Sequence, residues 1–140
     1  MKPWVIDASV AVAWLTPEQH SDACDRHYSQ ARSQAGLYHA PNLWHWQVGQ
    51  ALLLACRGGG LPRAHYERGL ELVAQAHVEI DAAPSLHRRS QVLRLAEAHQ
   101  ISYLDAAYLE LVVRLNGTLL SRESPLLQAA RACGIAVESF

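Results

Sequence analysis

Three acids stand where a chain can do chemistry with carboxylates. Trp4-Val5-Ile6 runs into Asp7, followed by Ala8-Ser9-Val10. Thr118-Leu119-Leu120 runs into Ser121-Arg122-Glu123, and between them Ser102-Tyr103-Leu104-Asp105-Ala106-Ala107-Tyr108 opens an amphipathic segment. Two of these acids leave apolar strands and the third begins a helix. In open α/β sheets, sites form outside the carboxyl ends of the strands. Carboxylates gathered there can hold a divalent cation, so the chemistry indicated is metal-assisted hydrolysis.

Each acid also has a plainer reading. Asp7 fits a helix N-cap, a role aspartate fills well. Ser102-x-x-Asp105 matches a capping box, although Asp105 lies beside the stripe Leu104, Tyr108, Leu111 and Leu115, as an acid at the rim of a cleft does. Glu123, ahead of Ser124-Pro125, fits an exposed acid at a helix mouth. Gln47 falls with Trp44, Val48, Ala51 and Ala55 at helical spacing, and a polar group on a buried stripe needs a partner. It reads as a satisfied core amide or as a group facing the same cleft as the acids.

Alternating strand and helix signals must position these residues, the pattern of a parallel α/β sheet. Strands are predicted at 3–6, 36–40, 77–81, 118–120 and 135–138. Helices are predicted through Val10, Ala13 and Trp14, over roughly 19–34, from an N-cap at Asn42 to Cys56, from Pro62 to about Ala76, over 85–99, 102–115 and 124–133. Breaks fall at Thr16-Pro17-Glu18, Gly58-Gly59-Gly60 and Asn116-Gly117.

The chain has 140 residues, half of them hydrophobic and 18% charged, which suits one domain with a real core. No apolar run reaches membrane-spanning length and the start lacks a signal-peptide pattern, so a cytosolic protein without a membrane contact is expected. A net charge of -1 gives no global basic field. Contact with nucleic acid would need local patches, with Arg57, Arg63, Arg68, Arg88, Arg89 and Arg94 as candidates. Cys24, Cys56 and Cys133 are scattered and form no C-x-x-C pair, which argues against zinc ribbons and disulfide frameworks. The histidines form no metal-binding pair, and His39, His45, His87 and His99 read as surface or interface residues.

Taken in order, the segments resemble the PIN-domain family, specifically its VapC-like toxin ribonucleases, over nearly the whole chain. Val5-Ile6-Asp7-Ala8-Ser9 is similar to the family's first-strand motif, whose acid is a metal ligand. Pro41-Asn42-Leu43-Trp44-His45-Trp46-Gln47-Val48 is similar to the helix that supplies a glutamate, at the position held here by Gln47. Ile101 to Tyr108 resembles the family's most recognisable signature, with its acid at Asp105. Leu119-Leu120-Ser121-Arg122-Glu123 resembles the threonine-x-aspartate segment, with serine and glutamate in place.

The resemblance implies a three-layer α/β/α sandwich around a parallel sheet and Mg²⁺- or Mn²⁺-dependent cleavage of RNA. It further implies a homodimer neutralised by a small antitoxin. Asp7, Asp105 and Glu123 would be the metal ligands, Gln47 would join them in the catalytic set, and Ser9 and Ser121 would orient carboxylates and phosphate. Gln47 removes a full negative charge, so one firmly held ion is expected where four acids would match two, although an amide oxygen can still act as a ligand. The alternative is a degenerate PIN domain that keeps its partner and has lost hydrolysis. Trp14, Trp44 and Trp46 lie near the presumed cleft, and any exposed ring there would suit an antitoxin groove or a dimer contact.

Overall fold

The computed structural model describes residues 2–16, 19 and 21–140. Short strands rich in Val, Ile, Leu and Tyr form a five-stranded sheet: β1 (Trp4–Ile6), β2 (Tyr38–Ala40), β3 (Val78–Ile80), β4 (Thr118–Leu120) and β5 (Ala136–Glu138). The order is β3-β2-β1-β4-β5 and every pairing is parallel. Val5, Ile6, Leu119 and Leu120 are fully buried, as central strands covered on both faces require. From β1 the chain first builds outwards through β2 and β3, then returns to the other side of β1 for β4 and β5. The order therefore reverses between β1 and β4, and the carboxyl ends of those two strands flank the crevice where such sheets hold ligands.

Helices cover both faces, giving the α/β/α sandwich expected. On one side α1 (Ala8–Leu15) packs against α2 (Asp22–Ser33), α3 (Trp44–Arg57) and α4 (Tyr66–Ala74). On the other, α6 (Tyr103–Leu115) packs against α5 (Leu86–His99), α7 (Ser124–Ala132) and β1. Serine side chains cap three of these helices: Ser21 Oγ accepts from Cys24 N–H, Ser85 Oγ from Arg88 N–H and Ser102 Oγ from Asp105 N–H.

Several boundaries differ from the sequence expectation. Asn42 is exposed and does not cap α3. Leu43 takes the cap position without a side-chain bond, because a turn closed by Trp44 N–H on Pro41 C=O already leads into the helix. The segment after Pro62 starts as a 3₁₀ turn, Arg63–His65, before becoming α4. The second helix begins at Asp22. The break at Thr16-Pro17-Glu18 is seen at Thr16, the C-cap of α1, while Pro17 and Glu18 lie outside the described residues. At the Asn116-Gly117 stop, Asn116 takes the left-handed conformation (φ 50°). Gly117 is needed for space, since a Cβ there would sit 2.5 Å from Pro3 C=O.

Two side-chain clusters were not foreseen. His27 is buried and bonds Tyr38 Oη at 2.7 Å through Nδ1 and the Glu138 carboxylate through Nε2, tying α2 to β2 and β5. Arg88, one of the arginines considered for nucleic acid, is instead bound to Asp81 and Glu110, which Arg114 also bridges. These four side chains tie α5 and α6 to the end of β3. Cys24 and Cys56 are buried free thiols; Cys133 is free, half-buried and 3.3 Å from His99 Nε2.

Candidate active site at the β1–β4 switch point

A cavity of about 750 Å³ opens at the carboxyl ends of β1 and β4. Its polar wall comprises Asp7, Ser9, Gln19, Gln47, Gln50, Asp105, Tyr108, Arg122 and Glu123, and Val12, Leu54 and Leu104 form its apolar part. Asp7, Gln47, Asp105 and Glu123 are therefore on one cavity, with Ser9 in its wall and Ser121 directly behind Asp7.

Asp7 directly follows β1 and caps α1, as the plainer reading expected, and its carboxylate also lines the cavity. Its Oδ1 accepts from Ser9 N–H at 3.1 Å and Ser9 Oγ–H at 2.5 Å, and its Oδ2 accepts from Ser121 Oγ–H at 2.6 Å. The serines are themselves fixed by the loop after β4. Ser9 Oγ accepts from Arg122 N–H at 3.0 Å, and Ser121 Oγ accepts from Glu123 N–H at 2.9 Å. Asp7 is only 5% exposed. Burial pushes its carboxyl from 3.8 up to about 6, and the Glu123 charge adds to this, against the opposing bonds from Ser121 and Ser9.

Asp105 lies in the first turn of α6 and is half-buried. Burial raises its pKa as well, with the Ser102 hydroxyl opposing. Leu104, expected in the apolar stripe, is instead half-exposed at the cavity wall. Glu123 stands at the N-cap of α7 but makes no side-chain capping bond, so its carboxylate is exposed and free to face the cavity. Among the described residues, Asp7, Asp105 and Glu123 form no ion pair with an arginine, lysine or histidine.

Gln47 projects from α3, half-buried, and its Oε1 accepts from Tyr108 Oη at 2.7 Å. Tyr108 is buried, and burial together with the Asp7 and Asp105 charges raises its phenol well above its usual range. This tyrosine was read only as part of the apolar stripe. Its place three residues after Asp105, on the same helix face, was the available signal for a site role. Arg122 is the only cationic side chain lining the cavity among the described residues. Its guanidinium rests over the Phe140 ring and reaches Gln19 C=O at 3.4 Å. Of the three tryptophans considered for a partner contact, Trp14 and Trp44 are buried, whereas Trp46 is 82% exposed, and none lines the cavity.

The donor set suits a hard divalent cation: carboxylate oxygens, two of them on buried or half-buried acids that lack a counter-ion among the described residues. Among the described residues, no three His, Cys, Asp or Glu side chains are drawn together into a ligating group. Asp7, Asp105 and Glu123 share the lining of one cavity without being drawn into a single cluster.

This architecture recurs in solved structures. The PAE2754 protein of Pyrobaculum aerophilum superposes with a TM-score of 0.71 at 20% identity, covering 97% of this chain and 90% of that one. VapBC2 of Rickettsia felis, solved with a DNA fragment from its promoter, gives 0.66 at 9% identity and 98% coverage of both chains. FitAcB of Neisseria gonorrhoeae gives 0.63 at 14% identity, covering 96% and 95%. Strand order, layers and the acid-lined switch point together define a PIN-type domain. No family model matches the chain. A curated relative, ribonuclease VapC3 of Pyrobaculum aerophilum, is 30% identical over 128 residues, which are 89% of this chain and 92% of that protein. The chain belongs to the VapC-like family of PIN-domain proteins.

Proposed function

We propose that this protein is a metal-dependent endoribonuclease, the toxin of a toxin–antitoxin pair, hydrolysing RNA phosphodiester bonds at the β1–β4 cavity. The observation that carries this reading is a buried carboxylate, Asp7, without a counter-ion among the described residues and sharing one cavity with Asp105 and Glu123 at the switch point. The curated relative bears the name ribonuclease, which supports the reaction class. Mg²⁺ or Mn²⁺ on these carboxylates would supply an acidified water and neutralise charge on the phosphate.

The chain's own residues do the rest. Ser9 and Ser121 hold Asp7 with both oxygens oriented, so its ligating geometry is set before any cation arrives. Asp105 provides the second anchor from α6, and Glu123 a longer arm from the loop after β4. Arg122 offers positive charge at the wall of a cavity whose other charged lining, among the described residues, is acidic, where a phosphate group needs it. Leu54 and Leu104 give the cavity an apolar side against which a base or ribose can pack.

Trp46, exposed on α3 one residue before Gln47, suits a contact with an antitoxin. Leu86 and Leu93 on α5 and Val113 on α6 are exposed apolar side chains that suit a homodimer contact. Among the described residues no helix is long and apolar enough to cross a membrane. A cytoplasmic location agrees with an RNA substrate and with the free thiols.

The test is cleavage of structured RNA by metal-stripped protein before and after Mg²⁺ or Mn²⁺ is restored, with Asp105→Asn alongside. Ion-dependent cleavage that disappears in the variant is expected. Folded wild type that stays silent with either ion would instead favour a domain that binds its partner without hydrolysis.

A further inference from the structure

A site that cleaves a phosphodiester with a bound cation needs two kinds of group: oxygen donors for the cation and hydrogen-bond donors for the phosphate oxygens. Asp7, Asp105 and Glu123 are ionisable oxygen donors. Gln47 carries one group of each kind on a single carboxamide, and its neighbour decides which of them faces the cavity. The Tyr108 phenol is buried against Gln47, and burial with the nearby Asp7 and Asp105 charges raises it above its usual range, so it acts here as a hydroxyl donor. Among the described residues the Tyr108 hydroxyl has one hydrogen-bond partner, Gln47 Oε1 at 2.7 Å. A buried phenol needs an acceptor, so this bond orients the amide with its oxygen on Tyr108. The oxygen is engaged, while Nε2 has no partner among the described residues on a side chain that lines the cavity.

We infer that Gln47 presents its Nε2 amide as a hydrogen-bond donor to a phosphate oxygen of the substrate and is a positioning residue, not a ligand of the cation. The inference rests on the metal-dependent nuclease reading and deepens it. At the position where the sequence resemblance expects a carboxylate, this chain exchanges an oxygen donor and its charge for a neutral N–H donor. Two consequences follow for the site. It holds one divalent ion, because the carboxylate that would support a second is missing. It also recruits the phosphate through donors, Gln47 Nε2 and the Arg122 guanidinium, more than through cations. Tyr108 is what makes the exchange directional, since without its hydroxyl the amide is free to turn its oxygen into the cavity.

The experiment is calorimetric titration of Mn²⁺ into metal-stripped protein, followed by titration of adenosine 5′-monophosphate into the Mn²⁺-loaded protein. Wild type is compared with Gln47→Ala, Gln47→Glu, Tyr108→Phe and Asp105→Asn, each checked for folding by circular dichroism. Wild type should bind one Mn²⁺. Gln47→Ala should bind it within about twofold of wild type, yet hold the nucleotide about tenfold more weakly, the loss expected for one hydrogen bond to a charged group. Gln47→Glu should take up a second Mn²⁺ or tighten the first by about tenfold, as an added carboxylate would. Tyr108→Phe should weaken the nucleotide without weakening Mn²⁺. A tenfold loss of Mn²⁺ affinity in Gln47→Ala would show a ligand and overturn the inference. So would nucleotide binding that is absent from wild type or equal in wild type and Gln47→Ala. Asp105→Asn separates the two levels. If it leaves Mn²⁺ binding intact, the cation site itself is wrong; if it abolishes Mn²⁺ binding while Gln47→Ala changes nothing, only the role of Gln47 is wrong.

Discussion

Asp7 should make the metal-free protein less stable than it need be. Its carboxyl rises from 3.8 to about 6 on folding because burial outweighs the bonds from Ser121 and Ser9. Between those two values the folded state binds more protons than the unfolded state, so stability falls as pH rises through this window. At about 1.4 kcal/mol per pH unit, the ionised group costs about 3 kcal/mol above pH 6. Asp7→Asn removes that charge and keeps the cap, since asparagine caps helices as well as aspartate. Its carboxamide oxygen can still accept from Ser9. Its amide would donate to Ser121 Oγ, leaving the serine proton unplaced at a cost of about 1 kcal/mol. The expected net gain at pH 7.5 without metal is about 1–2 kcal/mol, or about 3–7 °C in Tm for a chain of this size. At pH 4, where Asp7 is mostly protonated in the fold, the difference should largely vanish. Saturating Mn²⁺ should raise the wild-type Tm and leave the variant unchanged. Thermal melts at both pH values, with chelator and with Mn²⁺, test this. A variant less stable than wild type at pH 7.5, or a pH-independent difference, would show that the serines fully compensate the charge and that Asp7 is a structural cap.

Ser121→Ala removes both the donor to Asp7 Oδ2 and the acceptor of Glu123 N–H, all in a fully buried position. A loss of about 1–3 kcal/mol in denaturant unfolding is expected, with weaker Mn²⁺ binding in calorimetry. Glu110→Ala strips Arg88 and Arg114 of a shared, buried carboxylate. Because both arginines keep Asp81 and are partly exposed, the cost should be about 2 kcal/mol by urea melts, below that of a fully buried pair. Although burial raises it, Asp81 is held below its usual range by bonds from Arg114 and Arg88, so the stability it contributes should be present above pH 4 and fade as pH falls further. Trp46→Ala should leave unfolding within about 0.5 kcal/mol of wild type, because the ring is exposed. Binding of the antitoxin, measured by calorimetry, should suffer instead.

The legible part of this molecule was the part set by local pattern. Val5-Ile6 and Leu119-Leu120 are short apolar runs ending in polar residues, and short runs of that kind between helical segments suit central parallel strands. The serine at 102 announced α6 through its capping-box spacing, and its hydroxyl does accept from Asp105 N–H. Asn42 failed as a cap because Pro41 closes a turn through its carbonyl and shifts the start of α3, a backbone event without a composition signature. The acids of the candidate site stood out in the sequence because each follows a strand or opens a helix, and the structure brings them to one cavity. Tyr108 was not, since a tyrosine on an apolar stripe reads as core until the partner of its hydroxyl is seen. His27 was hidden for the same reason: its two partners, Tyr38 and Glu138, come from strands distant in sequence. Pairings between remote segments are what a single sequence conceals best.

The hydrogen bonds behind Asp7 also bear on the proposed role of Glu123, which stands where the resembling motif has aspartate. Two short relays run from the loop after β4 to the two oxygens of one carboxylate. Arg122 N–H reaches Oδ1 through Ser9, and Glu123 N–H reaches Oδ2 through Ser121. Each serine accepts from the loop backbone and donates to Asp7, so these links are independent of which acid occupies position 123. The backbone of Glu123 is fixed although its side chain is exposed and uncapped. One added methylene then changes only the reach of a free arm. Glu123→Asp should consequently leave the Tm within about 0.5 kcal/mol equivalent of wild type, while shifting the Mn²⁺ affinity. Glu123→Ala should behave the same way in stability and lower that affinity further. Unfolding of either variant by more than about 1 kcal/mol would mean that the side chain supports the loop after all, and that the acid at this position is structural.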